Sequence, residues 1–307
     1  MKILLLGKDG QVGWELQRSL APLGEIVALG STDRAPLGGD LRDPEALAAT
    51  VRTVAPQLIV NAAAYTAVDR AESEAEEAML VNATAVGALA RAADAAGAWL
   101  VHYSSDYVFD GSGTTPWTEQ DRPAPLGAYG RSKLAGEELV RASGCRHLVF
   151  RTSWVCSARG ANFAKTMLRL ARERESLRVV DDQIGAPTGA ELLADLTAHA
   201  CRRALVDPSV SGTYHAAAAG ETSWFDYARH AIATARRHGA ALRVADAAIE
   251  PVPTTAYPQA ARRPLNSRLD TTRLRTTFGL ALPPWQAGVE RVVRELIDSS
   301  DTLHNRA

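Results

Sequence analysis

A chain of 307 residues has room for about two domains of roughly 150 residues, or one large α/β unit. At 46% hydrophobic and 22% charged it carries enough apolar mass for a core, which excludes wholesale disorder. Its 34 Lys and Arg against 35 Asp and Glu leave a net charge of −1, without the basic excess of a nucleic-acid binder.

Residues 2–7 open the chain as a short apolar strand, too brief for a signal-peptide core, and no later apolar run approaches the roughly 18 residues of a membrane span. Cys145, Cys156 and Cys201 form no CxxC pair and read as reduced thiols. The expectation is a cytoplasmic protein with no membrane and no nucleic-acid partner. Further apolar runs follow at 25–30, 57–63, 98–103, 147–155 and 177–181. They are continuous rather than alternating, as strands covered on both faces must be. Helical spacing separates them: Val12, Leu16 and Leu20 recur after the first strand, and the alanine-rich stretch 79–96 favours helix. Strand, helix and strand in repetition predict an α/β fold, a doubly wound parallel sheet. Past about residue 183 the texture changes. A helix carrying Leu192, Leu193, Leu196 and Ala200 on one face, clustered prolines at 251–264 and a last helix with Val289, Val292, Val293 and Leu296 predict a smaller lobe. The division is 1–183 for the nucleotide-binding domain and 184–307 for the substrate-binding lobe, with exchange of chain between them.

Three motifs carry chemistry. Gly7, Gly10 and Gly13 of Gly7-Lys8-Asp9-Gly10-Gln11-Val12-Gly13 stand at the first strand–helix junction. Glycines there permit a tight turn, and the helix N-terminus offers N–H groups to a pyrophosphate. Tyr129 and Lys133 lie four apart, on one face of a helix, where an ammonium would lower the phenol's pKa from about 10. Ser105 ends a strand at the same sheet edge.

The GxxGxxG spacing, the Tyr-x-x-x-Lys pair and the upstream hydroxyl resemble the extended short-chain dehydrogenase/reductase family. Asn61-Ala62-Ala63-Ala64-Tyr65-Thr66 is similar to that family's strand-end stretch beside the nicotinamide ribose. Residues 104–111, 129–137, 150–155, 182–188 and 263–269 narrow the resemblance to the dTDP-4-dehydrorhamnose reductases, from Met1 to about Leu296. A dehydratase would carry Asp-Glu where this chain has Asp106-Tyr107.

The resemblance implies reduction of the 4-keto group of a dTDP-linked 6-deoxysugar by NADPH, with NADH as the alternative donor. Tyr129 becomes the proton donor, Lys133 the ribose contact that lowers its pKa, and Ser105 the hydroxyl that polarises the carbonyl. The cofactor set is Gly7, Gly10, Gln11, Val12, Gly13, Ser31, Arg34, Asp40, Leu41, Ala62, Ala63, Ala64, Tyr65, Tyr103, Tyr129 and Lys133. The substrate set is Ser105, Asp106, Tyr107, Trp154, Asn162 and Arg263. Trp154 packs either on the sugar or in the core; Arg263 either holds the diphosphate or merely makes a turn. The resemblance further implies Mg²⁺ at a homodimer contact on Glu15, Glu191 and Glu295, which otherwise are solvated surface glutamates. Two alternatives stay open: a reductase of another nucleotide-linked 4-keto-6-deoxysugar, and a non-catalytic NADP-binding regulatory subunit.

Cofactor preference is read at the end of the second strand. Gly30, 17 residues past Gly13, stands where an NAD-selective site presents a carboxylate. Ser31, Thr32 and Arg34 are placed to hydrogen-bond a 2′-phosphate, while a small loop shift would bring Asp33 to the ribose instead. The expectation is NADPH over NADH by about tenfold, or ~1.4 kcal/mol.

Overall fold

The computed structural model describes residues 1–34 and 36–304, with side chains to residue 298; Ala35 and the last three residues of the 184–307 lobe lie outside the described residues. The first half runs β1 (Lys2–Leu6), α1 (Gln11–Leu20), β2 (Glu25–Leu29), α2 (Pro44–Val54), β3 (Leu58–Asn61), α3 (Ala75–Met79), α4 (Ala85–Ala95), β4 (Trp99–Ser105), α5 (Ala128–Ala142) and β5 (His147–Thr152). The second half continues with β6 (Val155–Cys156), α6 (Phe163–Glu173), β7 (Leu177–Val180), β8 (Ile184–Gly185), β9 (Thr188–Gly189), α7 (Ala190–Ala204) and β10 (Gly212–His215). It ends with β11 (Thr222–Ser223), α8 (Trp224–Arg237), β12 (Ile249–Val252), α9 (Thr272–Phe278) and α10 (Trp285–His304).

Six strands pair in parallel in the order β10-β5-β4-β3-β1-β2. Side chains alternate across each strand, so β1 sends Leu4 and Leu6 to one face and Ile3 and Leu5 to the other. Leu47 of α2, Leu89 of α4 and Val140 of α5 complete the first layer. Leu16 and Leu20 of α1 with Leu193 and Leu196 of α7 complete the second. Helices on both faces explain the unbroken hydrophobicity of the strands.

Two expectations change. Residues 177–181 are not a strand of the central sheet: β7 pairs with β12 in a separate two-stranded ribbon. The sixth central strand is instead β10, from beyond residue 184, which lies parallel on β5. A short apolar run such as 177–180 reads as a sheet strand in either setting, while Gly212-Thr213-Tyr214-His215 carries little apolar signal, so only pairing places the two. A third cluster, around Met167, Tyr227, Ile232, Val289 and Val293, packs α6 and β7 against α8 and α10. The stretch 79–96 is helical but interrupted: residues 80–84 form a π turn between α3 and α4. That turn brings the Asn82 carbonyl so close to α5 that a Cβ on Gly136 would fall 2.1 Å from it. Among the described residues no helix is long and apolar enough to cross a membrane, and all three cysteines are buried and free.

Candidate active site

The carboxyl ends of β1 to β5 open onto a cleft of about 660 Å³. Its floor is the glycine loop. Gly7 has φ +85°, and a Cβ there would fall 2.6 Å from the Ala63 amide nitrogen. A Cβ on Gly13 would fall 1.9 Å from the Gly7 carbonyl oxygen. The loop therefore closes against the β3 end and α1 packs tightly on β1, as a cradle for a bulky ligand requires. Gly10 caps α1 without a side-chain hydrogen bond, and the first turn carries no acidic residue, so its N–H groups remain free for an anion. These features fit a dinucleotide pyrophosphate.

Gly7, Gly10, Gln11, Val12, Ser31, Asp40, Leu41, Ala62, Ala63, Ala64, Tyr65, Tyr103, Tyr129 and Lys133 all line this cleft. Gly13 does not, since it serves helix packing. Arg34 does not either. Its guanidinium folds back onto the Ser31 and Asp33 carbonyls and lies 3.7 Å from Asp40, while Arg42 takes the wall position. The reading that no carboxylate stands at the end of β2 is also corrected. A Cβ built on Gly30 would fall 2.2 Å from Asp9 Oδ2, so the glycine loop supplies a carboxylate that the strand lacks.

Sequence reasoning missed three further residues. The Thr152 hydroxyl, at the end of β5, lines the cleft buried and without a hydrogen-bond partner. Asn82, in the π turn, accepts from the Tyr65 amide (2.9 Å) and donates to the Tyr65 carbonyl (3.0 Å) and the Ser132 hydroxyl (3.0 Å), fastening the 61–66 segment to α5. A buried asparagine within an alanine-rich helix was the available signal, and π turns gather at functional sites. The third, Glu137, lies one turn beyond Lys133 and forms a bidentate pair with Arg151 (2.9 and 2.7 Å), both side chains at most 3% exposed.

At the cleft mouth, α5 presents Tyr129 and Lys133 while β4 ends at Ser105. The Lys133 ammonium donates to the Tyr103 carbonyl at 2.6 Å, and burial pulls its pKa down to about 8 against the pull of Glu137. Tyr129 does not have the lowered pKa expected of it. Burial, and then the Asp106 carboxylate, push it up to about 12, while the Ser105 hydroxyl draws it down. The Lys133 ammonium meanwhile donates to the Tyr103 carbonyl. The outcome is a neutral phenol beside a cation at neutral pH.

Next to it, Ser105 donates to Asp106 Oδ1 (2.9 Å) and accepts from the Tyr107 amide (3.1 Å). Asp106 is 2% exposed, and burial raises its pKa to about 6 against the Ser267 and Ser105 hydroxyls, which draw it down. Tyr107 meets Tyr129 edge-on at 5.6 Å. Arg263 lies over the Tyr107 ring and is clamped to Asp69 at 2.6 Å. Its Nη1 is buried and unpartnered, and the residue lines a second cleft of about 550 Å³ with Tyr257 and Arg262. Arg263 is thus an oriented cation and not part of a plain turn.

Trp154 adopts a left-handed φ of +48° and stacks on Trp224 at 3.6 Å; a Cβ on Gly185 would meet its ring at 2.8 Å. It remains partly exposed. Asn162 is not available to a ligand. Its amide donates to Gln11 Oε1 (2.9 Å) and to the Ser157 carbonyl (2.6 Å), and its oxygen caps α6 through the Lys165 amide (3.1 Å). The expected substrate residue is therefore a structural cap that secures the cofactor loop.

The three glutamates do not form a metal site within the chain. Glu15 is half-buried beside Arg18, Glu191 is buried against Gly189 with a raised pKa, and Glu295 is exposed on α10. Among the described residues no three His, Cys, Asp or Glu side chains gather to hold an ion.

Comparison with known proteins agrees with this geometry. The family model described as the RmlD substrate binding domain matches residues 1–297. A dTDP-4-dehydrorhamnose reductase of Escherichia coli (strain K12) is 57% identical over 302 residues, covering 98% of this chain and 99% of that protein. A crystal structure of dTDP-4-dehydrorhamnose reductase from Bacillus anthracis in complex with NADP superposes with a TM-score of 0.84 at 35% identity, covering 96% of this chain and 99% of that one. That of a dTDP-4-dehydrorhamnose reductase from Clostridium acetobutylicum does so with a TM-score of 0.86 at 33% identity, with the same coverage.

Proposed function

Since the chain belongs to the RmlD substrate binding domain family, we propose that it reduces the 4-keto group of dTDP-4-dehydro-β-L-rhamnose to dTDP-β-L-rhamnose with NADPH, NADH serving as a second donor. The observation that carries the proposal is the Ser105 hydroxyl in hydrogen-bond contact with the Tyr129 phenol, with Tyr129 and Lys133 lining a cleft floored by the glycine loop.

The cofactor's chemistry is hydride donation to the carbonyl carbon. The chain does the rest. Tyr129, held neutral by its high pKa, gives its phenolic proton to the carbonyl oxygen as negative charge develops there. Ser105 donates a hydrogen bond to the same oxygen and polarises it, giving up its bond to Asp106. Lys133 holds a ribose hydroxyl and keeps a positive charge near the phenolate that remains. Asp106 Oδ2 accepts from sugar hydroxyls, and the free Nη1 of Arg263 takes a diphosphate oxygen. Thr152 offers its free hydroxyl to the nicotinamide end of the cleft. In the cytoplasm this would be the last step of dTDP-rhamnose synthesis, feeding cell-surface polysaccharide such as O-antigen.

The test is purified protein with NADPH and a panel of dTDP-, GDP- and UDP-linked 4-keto sugars, following oxidation by nicotinamide absorbance. Turnover of the dTDP-linked 4-keto-6-deoxysugar above all others is expected. Preference for another base or sugar would reassign the substrate. NADPH binding without turnover of any would make the protein a regulatory subunit. Sedimentation of the same preparation reports whether it is the expected homodimer.

A further inference from the structure

The adenosine end of the cleft carries a charge arrangement that the glycine pattern does not reveal. Gly30 ends the stretch leaving β2, and its bare face is covered by the Asp9 carboxylate: a Cβ at residue 30 would fall 2.2 Å from Asp9 Oδ2 and 3.4 Å from Asp9 Cγ. Asp9 and Gly30 both line the cleft. Asp9 thus reaches from the phosphate loop into the space that a strand-borne acid would fill, and it can do so only because residue 30 is glycine.

The surrounding cations are already engaged. Lys8 Nζ lies 2.6 Å from Asp33 Oδ2, the same oxygen that accepts the Gly30 amide at 2.7 Å. Arg42 makes a bidentate pair with Asp40 at 3.0 and 2.9 Å, and Arg34 lies 3.7 Å from the same Asp40. Three cations thus face Asp33 and Asp40, while Asp9 makes no hydrogen bond or ion pair among the described residues. Asp9 is the carboxylate left over, exposed and facing the cleft.

We propose that Asp9 is a specificity-determining residue for the cofactor: its carboxylate accepts from the ribose 2′-hydroxyl of NADH and repels the 2′-phosphate of NADPH. This rests on the reading that the cleft binds a nicotinamide dinucleotide. A charged acceptor makes a strong hydrogen bond to a hydroxyl, whereas two anions in one corner oppose each other. The two donors therefore bind with comparable affinity, and the roughly tenfold preference for NADPH expected from Gly30 alone is held back.

The test measures Kd for NADH and for NADPH, by nucleotide fluorescence and by calorimetry, on wild type, Asp9→Asn and Asp9→Thr. Asp9 lies exposed on a loop, so the variants should fold, and their Tm values check this. In both variants NADPH should bind more tightly and NADH more weakly, moving the ratio of Kd values toward NADPH by about tenfold. The opposite signs matter, since a merely loosened loop would weaken both. Displacement of NADPH by 2′,5′-ADP should strengthen in parallel, which confines the effect to the adenosine end. A ratio moving by less than about twofold, with both cofactors still bound, overturns the assignment to Asp9 and leaves the dinucleotide reading intact. Wild type binding neither NADH nor NADPH overturns both.

Discussion

Replacing Tyr129 by Phe removes one oxygen from the site and little else. The ring keeps its edge-on contact with Tyr107 at 5.6 Å, and Lys133 keeps its 2.6 Å bond to the Tyr103 carbonyl. With a pKa of about 12, the native phenol is almost wholly protonated at neutral pH and ready to donate. Without it the proton must come from water, and the loss of a positioned acid lowers kcat by about 10²–10⁴-fold, or roughly 2.7–5.4 kcal/mol in the barrier. Stopped-flow and steady-state oxidation of NADPH with the dTDP-linked ketone measure this directly, and fluorescence titration should find cofactor affinity unchanged within about twofold. The pH profile gives a second reading. Lys133, at about 8, loses its charge as pH rises, so kcat/KM should fall above about pH 8 in wild type. That limb should persist at lower amplitude in Tyr129→Phe. A kcat within tenfold of wild type, or an alkaline limb that disappears with the phenol, would refute the division of roles.

Asp106→Asn should raise KM for the sugar nucleotide about tenfold and abolish an acid limb near pH 6, where the native carboxyl takes up its proton; a limb unchanged in the variant assigns it elsewhere. The folded protein releases the Lys133 proton near pH 8, below the unfolded lysine value of about 10.4, so over that window the unfolded chain binds more protons and this residue's contribution to stability rises with pH. Urea unfolding should therefore show wild type gaining on Lys133→Met between those values, and a constant gap would contradict it. Arg151→Met leaves the buried Glu137 carboxylate with only the more exposed Arg141 at 3.2 Å and should cost about 3 kcal/mol, whereas pairing it with Glu137→Leu should recover most of the loss. A single-variant loss below about 1 kcal/mol would mean that the pair is solvated in solution.

Once folded, the ion pair and the π turn serve the same end. Helix α5 is held by Glu137–Arg151 and by Asn82 on Ser132, so Tyr129 and Lys133 are fixed before any ligand arrives. Such support makes a proton transfer within hydrogen-bond reach efficient without reorganisation.

The sequence by itself determined the parallel sheet and pointed to the residues proposed to carry the chemistry. Both depend on local periodicity: continuous apolar strands between amphipathic helices, glycines at three-residue steps, and a tyrosine one helical turn before a lysine. It did not determine which short segment joins the sheet, because 177–181 has the apolar character of a buried strand yet pairs outside the sheet, whereas Gly212-Thr213-Tyr214-His215 lacks that character and pairs with β5. Nor could it tell that Asn162 is consumed in capping α6, that Arg263 is clamped by Asp69, or that Tyr129 is raised by burial and Asp106 rather than lowered by Lys133. The end of β2 makes the same point most sharply, since a missing carboxylate at residue 30 is supplied from residue 9, 21 positions earlier. Charges, caps and pKa shifts are set by what lies within a few ångströms in space. Only the packed structure brings those partners together, so the tertiary fold decided them.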